Sequence, residues 1–215
     1  MPFLRHLAFL TTVANLRQLP DDSLAEVAFA GRSNAGKSSA INTLANHTRL
    51  AHTSKTPGRT QHLNFFTVQP GRFLVDLPGY GFAKAPEEIR GQWDSLIGPY
   101  LAKRDALKGL VIIMDSRRPM TELDCRLIDW FAPTGRPIHI LLSKADKLTR
   151  QEQAKAIAET RGFLKNWTVP VSVQLFSSLK KTGVEEADQL IGGWLGLGDL
   201  EAAKKEPPGK GMPGG

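Results

Sequence analysis

The chain has 215 residues, a single cysteine and a formal net charge of +7. Its content of 41% hydrophobic and 23% charged residues is that of an ordinary globular protein, and its length suffices for one α/β domain with a substantial core. One cysteine excludes an internal disulfide and suits a reducing cytoplasm, and no apolar stretch reaches the ~20 residues of a membrane span. The positive charge favours a polyanionic partner, although a solvated basic surface would carry the same charge.

The N-terminal residues 1–22 are predicted to form an arm that packs on the following domain. Their apolar positions are interrupted by Arg5 and His6, and no small-residue cleavage site follows, so we reject a signal peptide. A short apolar run, residues 27–29, then predicts a buried strand, and apolar residues at helical spacing over 41–45 predict a helix.

Residues 31–38 read Gly-Arg-Ser-Asn-Ala-Gly-Lys-Ser, the phosphate-binding pattern G-x-x-x-x-G-K-[ST], between that strand and that helix. Loop amides and the helix N-terminus attract phosphate, Lys37 would reach the β- and γ-phosphates, and Ser38 would bind Mg²⁺. A chance match in a glycine-rich turn is the alternative, and the strand–loop–helix context argues against it. The nucleotide-binding residues predicted here are Gly31, Arg32, Ser33, Asn34, Ala35, Gly36, Lys37, Ser38 and Ser39.

Two further apolar runs, residues 63–68 and 73–75, flank a Pro-Gly turn and predict a hairpin with one antiparallel strand. The second run leads directly into Asp-Leu-Pro-Gly, a D-x-x-G arrangement at a strand end. The carboxylate of Asp76 would hold Mg²⁺ through water, and the N–H of Gly79 would contact the γ-phosphate. The predicted binding residues of this segment are Asp76, Leu77, Pro78 and Gly79.

The remaining pattern alternates strands and helices and ends in a Lys-, Pro- and Gly-rich tail. It predicts helices over 89–101, 123–131, 151–167 and 184–195, and strands over 107–114, 138–142 and 169–175. This order predicts a three-layer α/β domain over residues 23–197, with a six-stranded, mostly parallel sheet that contains one antiparallel strand. Residues 198–215 are predicted to be disordered.

Residues 143–146 read Ser-Lys-Ala-Asp after a predicted strand, where GTPases carry N/T-K-x-D. The carboxylate of Asp146 would accept hydrogen bonds from guanine N1 and N2, and Lys144 would lie along the base. Ser143 departs from the pattern, so we expect lower affinity for guanine but retained specificity. A Ser-Ser pair follows the next strand, where GTPases support the guanine oxygen. The residues predicted to bind the base are Ser143, Lys144, Ala145, Asp146, Phe176, Ser177 and Ser178.

These four motifs, in this order, resemble a regulatory GTPase with a Ras-like P-loop fold. The segments Thr56-Pro57-Gly58-Arg59-Thr60-Gln61 and Gly79-Tyr80-Gly81 narrow the resemblance to the EngB family of bacterial GTPases, over roughly residues 5–197. The resemblance implies GTP and GDP binding, slow GTP hydrolysis, a role in assembling the large ribosomal subunit, and a requirement in cell division and septation.

The resemblance assigns Thr60 as the switch threonine that binds Mg²⁺, with Thr56 as a second candidate. Arg59 could act as an arginine in cis or merely shape the loop, and His62 could be a base or a structural residue. The predicted binding residues of this segment are Gly58, Arg59, Thr60, Gln61 and His62, and the predicted metal ligands are Ser38 and Thr60.

The predicted catalytic residues are Lys37, Thr60 and Asn34. Ras-like enzymes place a glutamine after D-x-x-G, whereas this chain has Tyr80, which positions water poorly, so we expect slow intrinsic turnover. In related GTPases that lack the glutamine, an Asn in the P-loop binds K⁺. Asn34 could therefore support hydrolysis stimulated by K⁺, or it could simply shape the loop.

We expect a cytoplasmic monomer that binds the large ribosomal subunit or its RNA and no membrane. Six basic residues against three acidic ones between 144 and 165, together with Lys180 and Lys181, could follow an RNA backbone, or they could form a solvated helix face. Two rival functions are a P-loop kinase for a small acceptor and a non-catalytic scaffold that GTP stabilises. ATP outcompeting GTP would favour the kinase, and ribosome binding without any turnover would favour the scaffold.

Overall fold

The computed structural model describes residues 2–51, 62–80 and 93–198. The strands in these ranges are β1 (Ala8–Val13), β2 (Ala25–Gly31), β3 (Leu63–Gln69), β4 (Arg72–Asp76), β5 (Leu107–Asp115), β6 (Ile138–Ser143) and β7 (Val171–Leu175). The α-helices are α1 (Lys37–Leu44), α2 (Gly98–Lys103), α3 (Glu122–Phe131), α4 (Arg150–Leu164) and α5 (Val184–Trp194). A π-helical turn, Trp93–Ile97, leads into α2.

The strands form one sheet in the order β1-β3-β4-β2-β5-β6-β7. The strands β4, β2, β5, β6 and β7 are parallel, and β3 runs against its neighbours β4 and β1. This arrangement confirms the predicted α/β class and the single antiparallel strand, but the sheet has seven strands rather than six. The extra strand is β1, which lies in the segment predicted as an arm and pairs with β3 from Ala8 opposite Thr67 to Val13 opposite Leu63.

The sheet separates two apolar layers. In β2, Val27 and Phe29 face the layer beneath α1 and α5, whereas Ala28 and Ala30 face the layer beneath α2, α3 and α4. Because both faces are covered, all residues of β2 are buried, as expected of a central parallel strand. None of the helices in the described ranges is long and apolar enough to cross a membrane.

The N-terminus is fixed to α5 through one buried carboxylate. The side chain of Asp188, 2% exposed, accepts hydrogen bonds from the backbone N–H groups of Phe3 and Leu4, each at 2.8 Å. A Cβ at Gly192 would lie 2.1 Å from Cδ2 of Phe3, so the absence of a side chain there lets the ring pack on the helix. The predicted boundaries of arm, domain and tail stay predictions, and most of the tail lies outside the described residues.

The parallel strands bring distant parts of the chain to one edge of the sheet. Their carboxyl ends lie side by side, at Gly31 of β2, Asp76 of β4, Asp115 of β5, Ser143 of β6 and Leu175 of β7. In open α/β sheets this edge is where ligands bind. The loops that follow these strands carry most of the residues singled out in the sequence.

Candidate nucleotide-binding site

The loop from Gly31 to Gly36 connects the end of β2 to the start of α1. Gly36 precedes the helix with φ at 101°, a conformation that favours glycine, and it contributes no side-chain cap to the first turn. The N–H groups of that turn therefore point along the helix axis toward any anion bound at the loop. This is the local structure that the phosphate-binding pattern predicted.

Lys37 and Asp76 form an ion pair between the first turn of α1 and the end of β4. The ammonium group donates to Oδ1 of Asp76, and the two side chains are only 11% and 8% exposed. Burial raises the pKa of Asp76, while the neighbouring ammonium of Lys37 opposes that rise. The parallel pairing of β2 with β4 thus brings together the P-loop lysine and the D-x-x-G aspartate.

Ser143 and Lys144 connect the loop after β6 to the P-loop. The hydroxyl of Ser143 donates to the carbonyl of Ala35, and the ammonium of Lys144 donates to the carbonyl of Asn34 at 2.7 Å. Lys144 also donates to Oδ2 of Asp115 at 2.9 Å, from a left-handed backbone with φ at 56°. The two ends of the predicted site are therefore held against each other by side chains.

Asp115 is a site residue that sequence reasoning missed. It ends β5 and accepts from Nε and Nη2 of Arg117, at 2.9 and 2.6 Å, as well as from Lys144. These cationic partners, Arg117 first, hold the pKa of the carboxyl below its usual range. Its position, straight after a buried apolar run, is the same signal that identified Asp76 and could have identified Asp115.

Asp146 lies in the short 3-10 turn Ala145–Lys147, and its side chain is 8% exposed. The hydroxyl of Ser177 donates to its Oδ1 at 2.6 Å, and this hydrogen bond lowers the pKa of Asp146. Ser177 is fully buried, and its oxygen in turn accepts from the backbone N–H of Lys180 at 3.0 Å. The predicted base-binding carboxylate is thus ionised and oriented by the predicted serine loop.

The backbone joins the same two loops. The N–H of Phe176 donates to the carbonyl of Leu142 at 2.8 Å, and the N–H of Ala145 donates to the carbonyl of Phe176 at 3.1 Å. Phe176 is fully buried in the apolar layer beneath α5. Its ring therefore fixes the position from which Ser177 and Ser178 leave β7.

The D-x-x-G segment runs beside the P-loop. The N–H of Leu77 donates to the carbonyl of Phe29 at 2.9 Å. The N–H of Tyr80 then donates to Gly31 at 3.2 Å, and the N–H of Ser33 donates to Tyr80 at 3.0 Å. Gly79, which lies against the backbone of Ser33, is half-buried. These contacts hold the segment 77–80 parallel to the end of β2.

The side chain of Tyr80 is buried against α3. Its hydroxyl donates to Oδ1 of Asp124 at 2.7 Å, and Asp124 also caps the helix by accepting from Thr121. Burial, followed by the charge of Asp124, raises the pKa of Tyr80 far above its usual range, so the phenol stays neutral. The Tyr80 hydroxyl is therefore directed at α3, and the role expected for Tyr80 in hydrolysis stays a prediction.

Two cavities flank the P-loop. One of about 640 Å³ lies between α1 and the serine loop, and it is lined by Ser39, Ser178 and Lys181 among others. The other, of about 530 Å³, lies between the P-loop and the end of β5 and is lined by Arg32, Ser33, Asn34, Ala35, Asp115 and Lys144. Seven of the predicted binding residues line these cavities, Ser39 and Ser178 the first, and Arg32, Ser33, Asn34, Ala35 and Lys144 the second.

The structure does not test every predicted residue. The segment with Thr56, Gly58, Arg59, Thr60 and Gln61 lies outside the described residues, and so the switch threonine stays a prediction. His62 is half-buried immediately before β3. Within the described ranges, no group of three or more His, Cys, Asp or Glu residues is placed to hold a metal ion. Mg²⁺ in nucleotide sites needs no such group, because phosphates and water supply most of its ligands.

The comparisons with known proteins agree with this geometry. Residues 26–144 match the family model described as 50S ribosome-binding GTPase. The chain is 66% identical over its whole length, and over 98% of the relative, to the probable GTP-binding protein EngB of Dechloromonas aromatica (strain RCB). It is 56% identical to the protein of that name from Neisseria meningitidis serogroup B (strain MC58), over 96% of this chain and 99% of that one.

A crystal structure of a probable GTP-binding protein engB shares the fold. Its TM-score is 0.63 at 20% identity, covering 80% of this chain and 98% of that one. The sheet, the P-loop and the Ser-Lys-Ala-Asp loop thus define a P-loop GTPase, a GTP-binding and GTP-hydrolysing enzyme of a class that uses Mg²⁺. Within that class, the chain belongs to the EngB family of GTP-binding proteins.

Proposed function

We propose that this GTPase is a molecular switch in the assembly of the large ribosomal subunit, required for normal cell division and septation, and that it acts as a cytoplasmic monomer. The observation that carries the proposal is that the P-loop and the predicted base-binding loop are connected by hydrogen bonds. The P-loop and the base loop are tied by Ser143 and Lys144, so that one guanine nucleotide would contact both ends. The description of the matching family as 50S ribosome-binding supports the partner.

The phosphate end of the site supplies charge neutralisation. Lys37 would leave Asp76 to contact the β- and γ-phosphates, and the loop amides and the start of α1 would bind the remaining oxygens. Ser38 and Thr60 are the side chains that would bind Mg²⁺, and Asp76, freed from Lys37, would contact its water ligands. The carboxylate of Asp76 and the hydroxyl of Ser38 are oxygen donors, which Mg²⁺ prefers. The bound ion would neutralise charge on the transferring phosphoryl group.

The base end of the site supplies selectivity. An ionised Asp146 accepts hydrogen bonds, which the N1–H and N2 amino groups of guanine donate and adenine cannot match. The alkyl chain of Lys144 would cover one face of the base, while its ammonium stays on Asn34 and Asp115. This chemistry favours GTP and GDP and argues against a kinase that uses ATP.

For the attack of water on the γ-phosphate, no general base is evident among the described residues, because the Tyr80 hydroxyl donates its hydrogen bond to Asp124. We therefore propose that hydrolysis is slow in the isolated protein and is stimulated by the partner or by K⁺ near Asn34. Asn34 is exposed, and its backbone is in the left-handed region with φ at 62°. Equal hydrolysis rates in KCl and NaCl would remove the role of K⁺.

The proposed RNA contact lies on and around α4. Arg161 and Lys165 are exposed and one helical turn apart, and Lys147 is exposed at the end of the base loop. Lys155 pairs with Glu159 at 3.7 Å and Lys147 pairs with Asp146 at 3.8 Å, so these two lysines add less net charge. Positive charge therefore extends along α4 from Lys147, beside the base loop, to Arg161 and Lys165 at the opposite end of the helix, and an RNA backbone would follow this line.

The test is binding of the full chain to purified large ribosomal subunits, with GTP or GDP present, together with GTP hydrolysis. We expect tighter binding in the GTP state, a decrease in affinity with rising salt, and faster hydrolysis on subunits. Binding that ignores the nucleotide, without turnover, would instead identify a scaffold. Replacing Arg161 and Lys165 by Gln should weaken the binding, and Arg5 and Arg49 replaced by Gln are the control with equal loss of charge.

A further inference from the structure

A series of polar groups runs from the exposed Ser172 into the interior between β6 and β7. Nδ1 of His139 lies 2.7 Å from the hydroxyl oxygen of Ser172, and Nε2 lies 2.9 Å from Oε1 of Gln174. The amide nitrogen of Gln174 donates to the carbonyl of Gly183 at 2.7 Å. Because an amide oxygen only accepts, Nε2 of His139 carries the proton and Nδ1 accepts from Ser172. The four groups therefore form one directed series of hydrogen bonds.

The two central groups are buried, His139 at 2% and Gln174 at 4% exposure. The alternation of β6 places His139 on the same face as Leu141, in the layer beneath α5. Apolar side chains would fill this layer without any need for partners. A fully bonded polar network at such a position fixes one geometry rather than adding stability.

The network leads from the start of β6 and β7 toward the two loops of the base site. His139 is four residues before Ser143 on β6, and Gln174 is three residues before Ser177 on β7. The backbone N–H of Ser177 donates to the carbonyl of Thr182 at 3.1 Å, and this hydrogen bond closes the loop. The Gln174 amide then fixes the last residue of the loop, Gly183, where α5 begins.

The junction between the loop and α5 has no room for a side chain at Gly183. Its φ is 73°, and an added Cβ would lie 2.2 Å from the carbonyl oxygen of Leu175 and 2.5 Å from the amide nitrogen of Gln174. The two ends of the loop, residues 175 and 183, are therefore pressed together around the Gln174 side chain. A shift of Gln174 would displace the loop that carries the Ser177 hydroxyl.

We propose that Gln174, oriented by His139, is a positioning residue for guanine recognition. It holds the loop 175–183 so that the Ser177 hydroxyl keeps the Asp146 carboxylate facing the N1 and N2 edge of a guanine nucleotide. The inference rests on the proposed role of Asp146 in binding the base. It adds a specificity determinant that does not itself touch the ligand.

The experiment compares GDP with inosine diphosphate, which lacks the 2-amino group, by calorimetry on the full chain. For the wild type, loss of one hydrogen bond to a charged carboxylate predicts roughly 10- to 100-fold weaker binding of inosine diphosphate. In Gln174→Met, which keeps the length but not the hydrogen bonds, we expect GDP affinity to fall roughly tenfold. Inosine diphosphate should lose less, so the preference for guanine should shrink several-fold.

The control is Val173→Ala, on the same strand but facing the opposite apolar layer. It should lower the melting temperature and leave the GDP preference unchanged. Gln174→Asn, shortened by one methylene, is a milder variant should the Met variant not fold, and it should reduce the preference to a smaller degree. An equal loss of both nucleotides in the Gln174 variants, or an equal change in preference in Val173→Ala, would overturn the inference.

A separate result would count against the proposed function instead. If the wild-type chain itself did not prefer GDP to inosine diphosphate, Asp146 would not read the guanine edge. If the wild type prefers GDP to inosine diphosphate and the Gln174 variants show the same preference, only the positioning role of Gln174 is wrong.

Discussion

At the scale of single residues, the site is defined by what each side chain accepts and donates. Asp146 has one oxygen on the Ser177 hydroxyl, and its lowered pKa keeps it an acceptor at neutral pH. In Asp146→Asn, an amide that donates as well as accepts replaces the carboxylate. We expect the variant to lose guanine nucleotides and gain xanthosine diphosphate, measured by calorimetry. Unchanged GDP binding would contradict the assignment, and Asp129→Asn, distant from the site on α3, is the control.

Ser143 is the departure from the GTPase pattern, and its hydroxyl bonds the carbonyl of Ala35. In Ser143→Ala, this buried carbonyl loses one donor, at a cost of about 1 kcal/mol. We expect GDP affinity to fall about fivefold, while the preference for guanine over xanthine stays unchanged. A change in base preference, measured in the same titrations, would show that Ser143 contacts the base.

At the scale of elements, α5 fixes the N-terminus through Asp188. In Asp188→Ala, the N–H groups of Phe3 and Leu4 lose their buried acceptor, and the cost should be about 2 kcal/mol or more. Urea unfolding measures the loss, and amide hydrogen exchange at Phe3 and Leu4 should accelerate. Asp188→Asn retains one acceptor oxygen and should lose less. Equal stability of Asp188→Ala and the wild type would show that the N-terminus is not held there.

The free energy of unfolding depends on pH through His139 of β6, whose ring contacts side chains of β7. Burial lowers the pKa of His139 below its unfolded value of 6.5, so the unfolded chain binds more protons at mildly acidic pH. The folded state is therefore favoured above that value, and its advantage decreases as the pH falls below it, by at most about 1.4 kcal/mol per pH unit.

We expect urea unfolding between about pH 7.5 and 5.5 to show this loss in the wild type. The slope should be smaller in His139→Gln, whatever its stability at neutral pH. Identical slopes in the two proteins would mean that His139 does not titrate in this range. His6→Gln, which removes a histidine of the N-terminal segment, is the control.

Elements also show what a sequence can and cannot predict. Apolar runs predicted β2 to β7 because their side chains are buried. β1 was missed because Phe9 and Leu10 are 55% and 46% exposed, and only its backbone pairing with β3 makes it a strand. Each sequence motif is a short run of neighbouring residues, and these runs predicted the candidate site residues. The bonds from Ser143 to Ala35 and from His139 to Gln174 join residues far apart in the chain, which no local pattern encodes.

At the scale of the whole molecule, nucleotide binding and folding are linked. A ligand that binds only the folded state adds about 2.7 kcal/mol to the free energy of unfolding when its free concentration is 100 times its Kd. For a chain of this size, that corresponds to a rise in melting temperature of roughly 5–10 °C. We expect GDP with Mg²⁺ to produce this shift in differential scanning fluorimetry and ATP to produce none. An equal shift with ATP would favour the kinase.

The tie between the loops after β6 and β7 also has a consequence for synthesis. The P-loop is made early, but the hydroxyl that orients Asp146 comes from Ser177, and the glycine that closes its loop is residue 183. A growing polypeptide that has not yet left the exit tunnel past this point carries a phosphate cradle without a finished purine pocket. We therefore expect a nascent chain that ends before residue 183 to bind guanosine nucleotides weakly, because the loop that orients Asp146 is not yet closed.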